Sequence, residues 1–413
     1  MNQVMISLAA FMCLLGGLTP QSCATAGEPD RRTVWLPGAR LDLTLLGDSL
    51  VAEKAWYTDA VRQFDDHVLL LRGATWKDRK PFWRISRDGG LSWQAYSPQE
   101  GQPDYARAGL PRLLQRADGS VLGWADEWDA SVPYAGRPGQ PIGRRMVRAA
   151  SWEALTQGRG EVAACTLFLP YVTPLTCDDA KTLFMPALWG KLVETEHGHL
   201  LQAAYPVLAY DRVPRVWPEQ KPEGRQYRTC VLYSQDDGAR HYLATVAAAE
   251  QHPLPAQAEG YCEPDLLALG GGNLLCVIRT GGHPDGQMAE RSTPLVVCRS
   301  SDGGLSWSRP VPIAPYGVKP VLLKMNHGPI VCLAGRSGFF LLFSADDGRT
   351  WSTPAWVSQS QGRYGRSASG YGELLELAPG ILGVAYDEYA GDGKDGCMVA
   401  KFRRYRVGPV QPR

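Results

Sequence analysis

Apolar residues in this chain come in short runs broken by glycine, aspartate or asparagine, and the runs come in pairs. Gly260-Tyr-Cys-Glu-Pro-Asp-Leu-Leu-Ala-Leu-Gly-Gly-Gly-Asn-Leu-Leu-Cys-Val-Ile-Arg-Thr280 is the plainest case: two strand-length runs joined by a glycine turn, which predicts a β-hairpin. The same pattern predicts hairpins over 61–71, 111–124, 191–202, 319–333 and 370–387. Repeats roughly 50 to 80 residues apart indicate a propeller, a solenoid or an array. When the hairpins at 260–280 and 370–387 are laid on each other by their Leu-Leu-x-Leu runs, Tyr371 falls where Glu263 stands. Arg279 closes the second strand of the earlier hairpin.

A second repeat is interleaved with the first. Ser86-Arg-Asp-Gly-Gly-Leu-Ser-Trp93, Ser300-Ser-Asp-Gly-Gly-Leu-Ser-Trp307 and Ser344-Ala-Asp-Asp-Gly-Arg-Thr-Trp351 share Ser-x-Asp-x-Gly-x-Ser/Thr-Trp, with a degraded copy at Ser234-Gln-Asp-Asp-Gly-Ala-Arg-His-Tyr242. Asp and Ser side chains accept from nearby backbone N–H groups, and Gly supplies positive φ, so each box is a turn. Each follows one apolar run and precedes another, closing an outer hairpin. An inner and an outer hairpin make a four-stranded antiparallel blade, and blades set around an axis leave only short sheet edges. The expected fold is therefore all-β, a six-bladed propeller spanning 27–413.

Composition narrows the partners. The net charge is +1 over 413 residues with no basic or acidic run, which points away from nucleic acid and anionic membrane surfaces. Thirteen Trp, 45 Gly and 31 Pro suit short strands and tight turns. The apolar stretch 5–18, followed by Ala24-Thr-Ala26, suits a signal peptide over 1–26 and an exported, secreted or periplasmic protein; it is too short to span a bilayer, and no later segment reads as transmembrane. Cys23 offers a lipid-attachment alternative. Among the cysteines beyond the leader, Cys165 and Cys177 are a plausible local disulfide, whereas Cys276, Cys298 and Cys332 sit in apolar runs as buried thiols. No Cys or His spacing resembles a metal site; Glu196-His-Gly-His199 reads as a hairpin turn. No cofactor is expected, and the expected state is a monomer.

The Ser-x-Asp-x-Gly-x-Thr-Trp box resembles the Asp box of bacterial neuraminidase-like repeats, and six blades carrying it resemble the sialidase superfamily over residues 50–410. The boxes are structural in that family. The resemblance implies a hydrolase in which three arginines clamp a substrate carboxylate, a Tyr attacks the anomeric carbon, a Glu takes that Tyr's proton and an Asp serves as acid/base. Carried over, Tyr371 is the nucleophile, Glu263 its base, and Arg279 and Arg336 the second and third arginines. A neutral phenol suits a substrate that already carries a carboxylate at the reacting carbon, since an anionic nucleophile would be repelled. Guanidinium forks hold a carboxylate in bidentate geometry.

The departure is in the first blade. Thr58 stands where the family has its first arginine, and Arg72 at the end of the next strand is the candidate substitute. Asp78 is the candidate acid/base, with Asp59 as a rival. Asp126, Glu127, Asp129, Asp387 and Glu388 end inner strands and read as surface carboxylates, with contact to sugar hydroxyls as the alternative. The implied substrate is a terminal sialic acid or related acidic sugar of a glycan. The alternatives are a glycan-binding propeller without catalysis, or a hydrolase of the same fold for a different sugar.

Overall fold

The computed structural model describes residues 30–63, 67–78, 80–97, 113–128, 141–168, 187–206, 226–255, 258–281, 293–336, 338–359, 369–390 and 397–413. The leader, Cys177 and Asp129 lie outside these residues. Among the described residues the fold is all-β apart from a short helix, Trp152–Thr156, capped by the Ser151 hydroxyl. Among the described residues no helix is long and apolar enough to cross a membrane.

All six hairpins form. Three sheets are separate antiparallel quartets: Ala55–Gln63, Leu69–Thr75, Pro81–Ser86 and Gln94–Tyr96; Cys262–Gly270, Asn273–Arg279, Leu295–Ser300 and Val311–Ala314; and Val318–Lys324, Ile330–Gly335, Phe339–Ser344 and Ala355–Ser358. The fourth sheet has eight strands rather than four. It joins the quartet from Leu113–Gln115 to Glu161–Phe168 with the quartet from Ala187–Glu194 to Arg240–Ala247, through parallel pairing of Thr166–Phe168 with Arg240–Tyr242. The fifth is built from Glu373–Ala378, Ile381–Ala390 and Cys397–Val407, and Ala39–Ala52 from the other end of the chain adds its next strand.

The first strands of successive hairpins pack side by side, from 113–115 through 187–194, 262–270, 318–324 and 373–378 to 55–63. That order is propeller-like: one end of each inner strand is brought to a shared centre. Apolar layers fill the gaps between sheets. Leu201, Val231, Leu274, Cys276 and Cys298 share one such layer, which confirms Cys276 and Cys298 as buried thiols.

The boxes lock these layers. In each, the Ser hydroxyl donates to the Asp and accepts the Gly N–H, while the Asp carboxylate takes the N–H and side chain of the residue four positions on. In the degraded copy Arg240 Nε replaces the hydroxyl as the donor to Asp236, at 2.5 Å. Gly304 (φ +94°) is required twice over, because a Cβ there would lie 2.6 Å from Leu201 of the neighbouring sheet.

Candidate active site

Three inner strands carry a bulge near the start that bears a charged residue. Register breaks between Cys262 and Asp265, between Val318 and Val321, and between Thr58 and Ala60, placing Glu263, Lys319 and Asp59 in the gaps. Glu263 (φ 45°), Lys319 (φ 42°) and Arg336 (φ 44°) all hold left-handed backbone, an uncommon state for residues with a Cβ that marks sites where surrounding contacts impose the geometry.

The structure brings Tyr371, Glu263, Arg279 and Arg336 together. Tyr371 Oη donates to Glu263 Oε1 at 2.5 Å, and Arg279 Nη1 donates to the same oxygen at 2.7 Å. The other carboxylate oxygen accepts from the Lys319 backbone N–H at 3.1 Å. Arg279 also pairs with Glu259 through Nη2, at 3.0 Å. Burial alone would lower its pKa, but the facing Glu263 and Glu259 outweigh that and hold it well above the usual value. Arg336 donates Nε and Nη2 to the Ser369 carbonyl, with its guanidinium carbon 5.8 Å from the Tyr371 ring centre. Burial, then the Glu263 charge, push the Tyr371 phenol well above its ordinary pKa; the Arg279 and Arg336 charges pull the other way. The phenol is therefore neutral until a base takes its proton.

Lys319 is a site residue that the hydrophobic pattern alone does not single out. Besides fixing Glu263, it donates from Nζ to Glu373 at 2.7 Å and to the Gly372 carbonyl at 3.1 Å, and lies 5.9 Å from the Tyr371 ring centre. It thus grips Glu263 by its backbone and the strand that follows Tyr371 by its side chain. The signal was present: Glu263-Pro-Asp-Leu-Leu, Lys319-Pro-Val-Leu-Leu and Tyr371-Gly-Glu-Leu-Leu are the same register of three successive hairpins. Trp189-Gly-Lys-Leu-Val is a fourth, and the Trp189 ring meets Tyr371 edge-on at 6.0 Å.

Beneath the site, Asp265 ties three inner strands. It accepts from the Lys191 backbone and side chain and from the Leu322 N–H. Asp387 is a correction: the expected surface carboxylate is fully buried. Its Oδ1 accepts the Ser369 N–H at 2.8 Å and its Oδ2 has no hydrogen-bond partner. Burial pushes its pKa up to about 8, against the opposing Ser369 hydrogen bonds and the Arg336 and Lys319 charges. Glu388 is half-buried and bonded to Lys401 and Ser358.

The first sheet contributes differently. Thr58 is buried and its hydroxyl donates to the Tyr371 carbonyl at 3.3 Å, so this position braces the Tyr371 backbone. Arg72 is half-buried in the adjoining strand; Gly73, paired with Thr58, occupies the register that Arg279 holds opposite Cys262. Asp78 is exposed in the turn at 76–78, tied by Trp76 N–H to the Lys54 carbonyl at the start of the inner strand. That is the end at which Glu263, Lys319 and Tyr371 stand in theirs. No contact joins Asp78 to the cluster among the described residues. His197 and Gly198 form the expected hairpin turn.

No family model matches the chain, and no curated protein matches it. Solved structures do. A protein of unknown function from Dyadobacter fermentans DSM 18053 is 16% identical over 91% of this chain and 100% of its own, with a TM-score of 0.56. The Hadza microbial sialidase Hz136 is 12% identical over 85% of this chain and 65% of its own, with a TM-score of 0.49. A leech intramolecular trans-sialidase complexed with 2,7-anhydro-Neu5Ac is 14% identical over 91% and 68%, with a TM-score of 0.41. At 16% identity, the likeness to the Dyadobacter protein is one of fold alone.

Proposed function

We propose that the chain is an exported, sialidase-like retaining exo-glycoside hydrolase, its eight-stranded sheet serving as two of six blades. The observation that carries this reading is the 2.5 Å hydrogen bond from Tyr371 to Glu263, made beside a buried Arg279 and braced by Lys319. A phenol is a poor nucleophile unless an adjacent base takes its proton, and this pairing supplies that base. Tyr371 Oη bonds to the anomeric carbon as the glycosidic C–O bond breaks; the phenol proton passes to Glu263, and Asp78 protonates the departing oxygen. Water then attacks the glycosyl-tyrosine with Asp78 as base, and Glu263 returns the proton to Tyr371. The substrate is a terminal sialic acid or related acidic sugar, whose carboxylate is taken by Arg279 and Arg336 with Arg72.

One observation favours a second reading of the sugar. Arg279 is already engaged by two carboxylates, Arg336 by a carbonyl, and Thr58 supplies no charge. That balance suits a neutral sugar on the same Tyr–Glu machinery. A chromogenic panel of an α-sialoside, a β-glucuronide and neutral pentosides separates the two, and Tyr371→Phe must abolish whichever turnover is seen. Saturable binding without turnover would leave only a glycan-binding propeller.

A further inference from the structure

The segment that carries Tyr371 is held by a residue with no part in the proposed chemistry. Ser369 uses each of its polar groups. Its N–H donates to Asp387 Oδ1 at 2.8 Å, its carbonyl accepts Arg336 Nε and Nη2 at 3.0 and 2.7 Å, and its Oγ accepts the Tyr371 N–H at 3.0 Å. Gly370, between the two, has φ +85° and rests on Gly335, where a Cβ would lie 2.5 Å from the Gly370 Cα. The segment is therefore pinned by backbone contact at Gly370 and by Asp387 and Arg336 at Ser369.

Asp387 stands at a register position that another hairpin uses for the site. Leu266 pairs with Cys276, and Leu374 with Val384. Three residues before Leu266 and three after Cys276 are Glu263 and Arg279; the same count from Leu374 and Val384 gives Tyr371 and Asp387. Asp387 is fully buried, so it touches no substrate. A buried oxygen without a partner, here Oδ2, costs stability that an apolar residue of the same shape would not. Burial, against the Ser369 hydrogen bonds and the Arg336 and Lys319 charges, favours the neutral acid, which keeps Oδ1 as the acceptor for Ser369.

We infer that Asp387 is a positioning residue for Tyr371: its Oδ1 fixes Ser369, and Ser369 Oγ in turn fixes the Tyr371 backbone. The consequence for turnover rests on the reading of Tyr371 as the nucleophile, whereas the placement of the ring does not. Without the Asp387 acceptor the Ser369 N–H is stranded, and residues 369–371 shift to satisfy it. Arg336 can follow the Ser369 carbonyl on its long side chain. The Tyr371 ring instead leaves its place 2.5 Å from Glu263 Oε1. A misplacement of about 1 Å is worth on the order of 100-fold in rate.

Three variants of the whole chain test this: Asp387→Leu and Asp387→Ala, which remove the acceptor, and Asp387→Asn, which keeps it. Each is read in two ways at about pH 6. The first is turnover of the sugar that the chromogenic panel identifies. The second needs no substrate: the ¹⁹F NMR line of Tyr371 in protein labelled with 3-fluorotyrosine, identified by its loss in Tyr371→Phe. Asp387→Leu and Asp387→Ala should lower kcat at least about tenfold with KM within about threefold, and should move the Tyr371 line. Asp387→Asn should restore both to wild type. A folded Leu or Ala variant with wild-type kcat and an unmoved line overturns the inference. So does an Asn variant whose line moves, an outcome that decides the matter even if neither Leu nor Ala folds. If the wild type turns over no sugar, the hydrolase reading fails and the Tyr371 line alone judges the positioning.

Discussion

Removing the Lys319 side chain offers a direct test of how the Tyr371 segment is held. Its Nζ and the Glu373 carboxylate are 2.7 Å apart, and the two side chains are only 9% and 11% exposed. Lys319→Met therefore strands a buried carboxylate, and breaking one side of such a pair costs about 3–5 kcal/mol. Against a typical domain stability of about 5–15 kcal/mol, that is a large shift in urea midpoint. Adding Glu373→Gln removes the stranded charge, so the double variant should recover most of the loss. What remains is roughly 1 kcal/mol for the lost bond to the Gly372 carbonyl. The backbone N–H that holds Glu263 survives in both. Tryptophan fluorescence in urea, at constant m, reads the cycle; coupling of at least about 2 kcal/mol is expected. Turnover of the folded double variant should drop in kcat more than in KM, because Tyr371 loses its clamp. A single variant that loses less than about 1 kcal/mol, or effects that simply add, would refute this role for Lys319.

Other consequences follow from buried groups. Asp387 has its pKa raised to about 8 from 3.8, so its contribution is fully present below pH 3.8 and is lost as pH rises toward 8. Asp387→Asn, which keeps the oxygen facing Ser369, should raise the urea midpoint at pH 8 and leave it unchanged at pH 3.5; no gain at pH 8 argues against a neutral Asp387. His241 is buried against Trp124 with neither ring nitrogen hydrogen-bonded, and burial lowers its pKa to about 4 from 6.5. The unfolded chain takes up its proton first, so stability should fall by up to about 3 kcal/mol as pH drops from 6.5 to 4, a limb that His241→Leu should flatten. Gly304→Ala combines positive φ with a 2.6 Å approach to Leu201 and should cost about 2–4 kcal/mol in urea denaturation; an unchanged midpoint would mean the boxes do not set the sheet spacing.

What the sequence revealed tracks what local pattern controls. Hairpins and boxes depend on residues within a dozen positions of each other, and all six hairpins and four boxes form where the pattern puts them. The parallel seam from Thr166–Phe168 to Arg240–Tyr242 could not be read, because it depends on how two quartets lie side by side. The same holds for the pairing of Ala39–Ala52 with Cys397–Val407, a strand more than 300 residues away. Within the site, the alignment of Glu263 with Tyr371 was legible, and extending it by one hairpin yields Lys319. Glu259 and Asp387 were not legible, since a carboxylate beside a strand end gives no sign of burial. Thr58 is instructive in another way: where the resemblance led one to expect an arginine, a smaller side chain uses the position to hold the Tyr371 backbone.

The central claim is that Tyr371 makes the covalent bond to the sugar. It is tested most directly by mass spectrometry of the protein after incubation with a fluorinated glycosyl fluoride of the sugar that the chromogenic panel identifies, followed by peptide mapping. The account predicts one added sugar on the peptide that contains Tyr371, absent from Tyr371→Phe. An adduct on any other residue, or continued turnover by Tyr371→Phe, would contradict it.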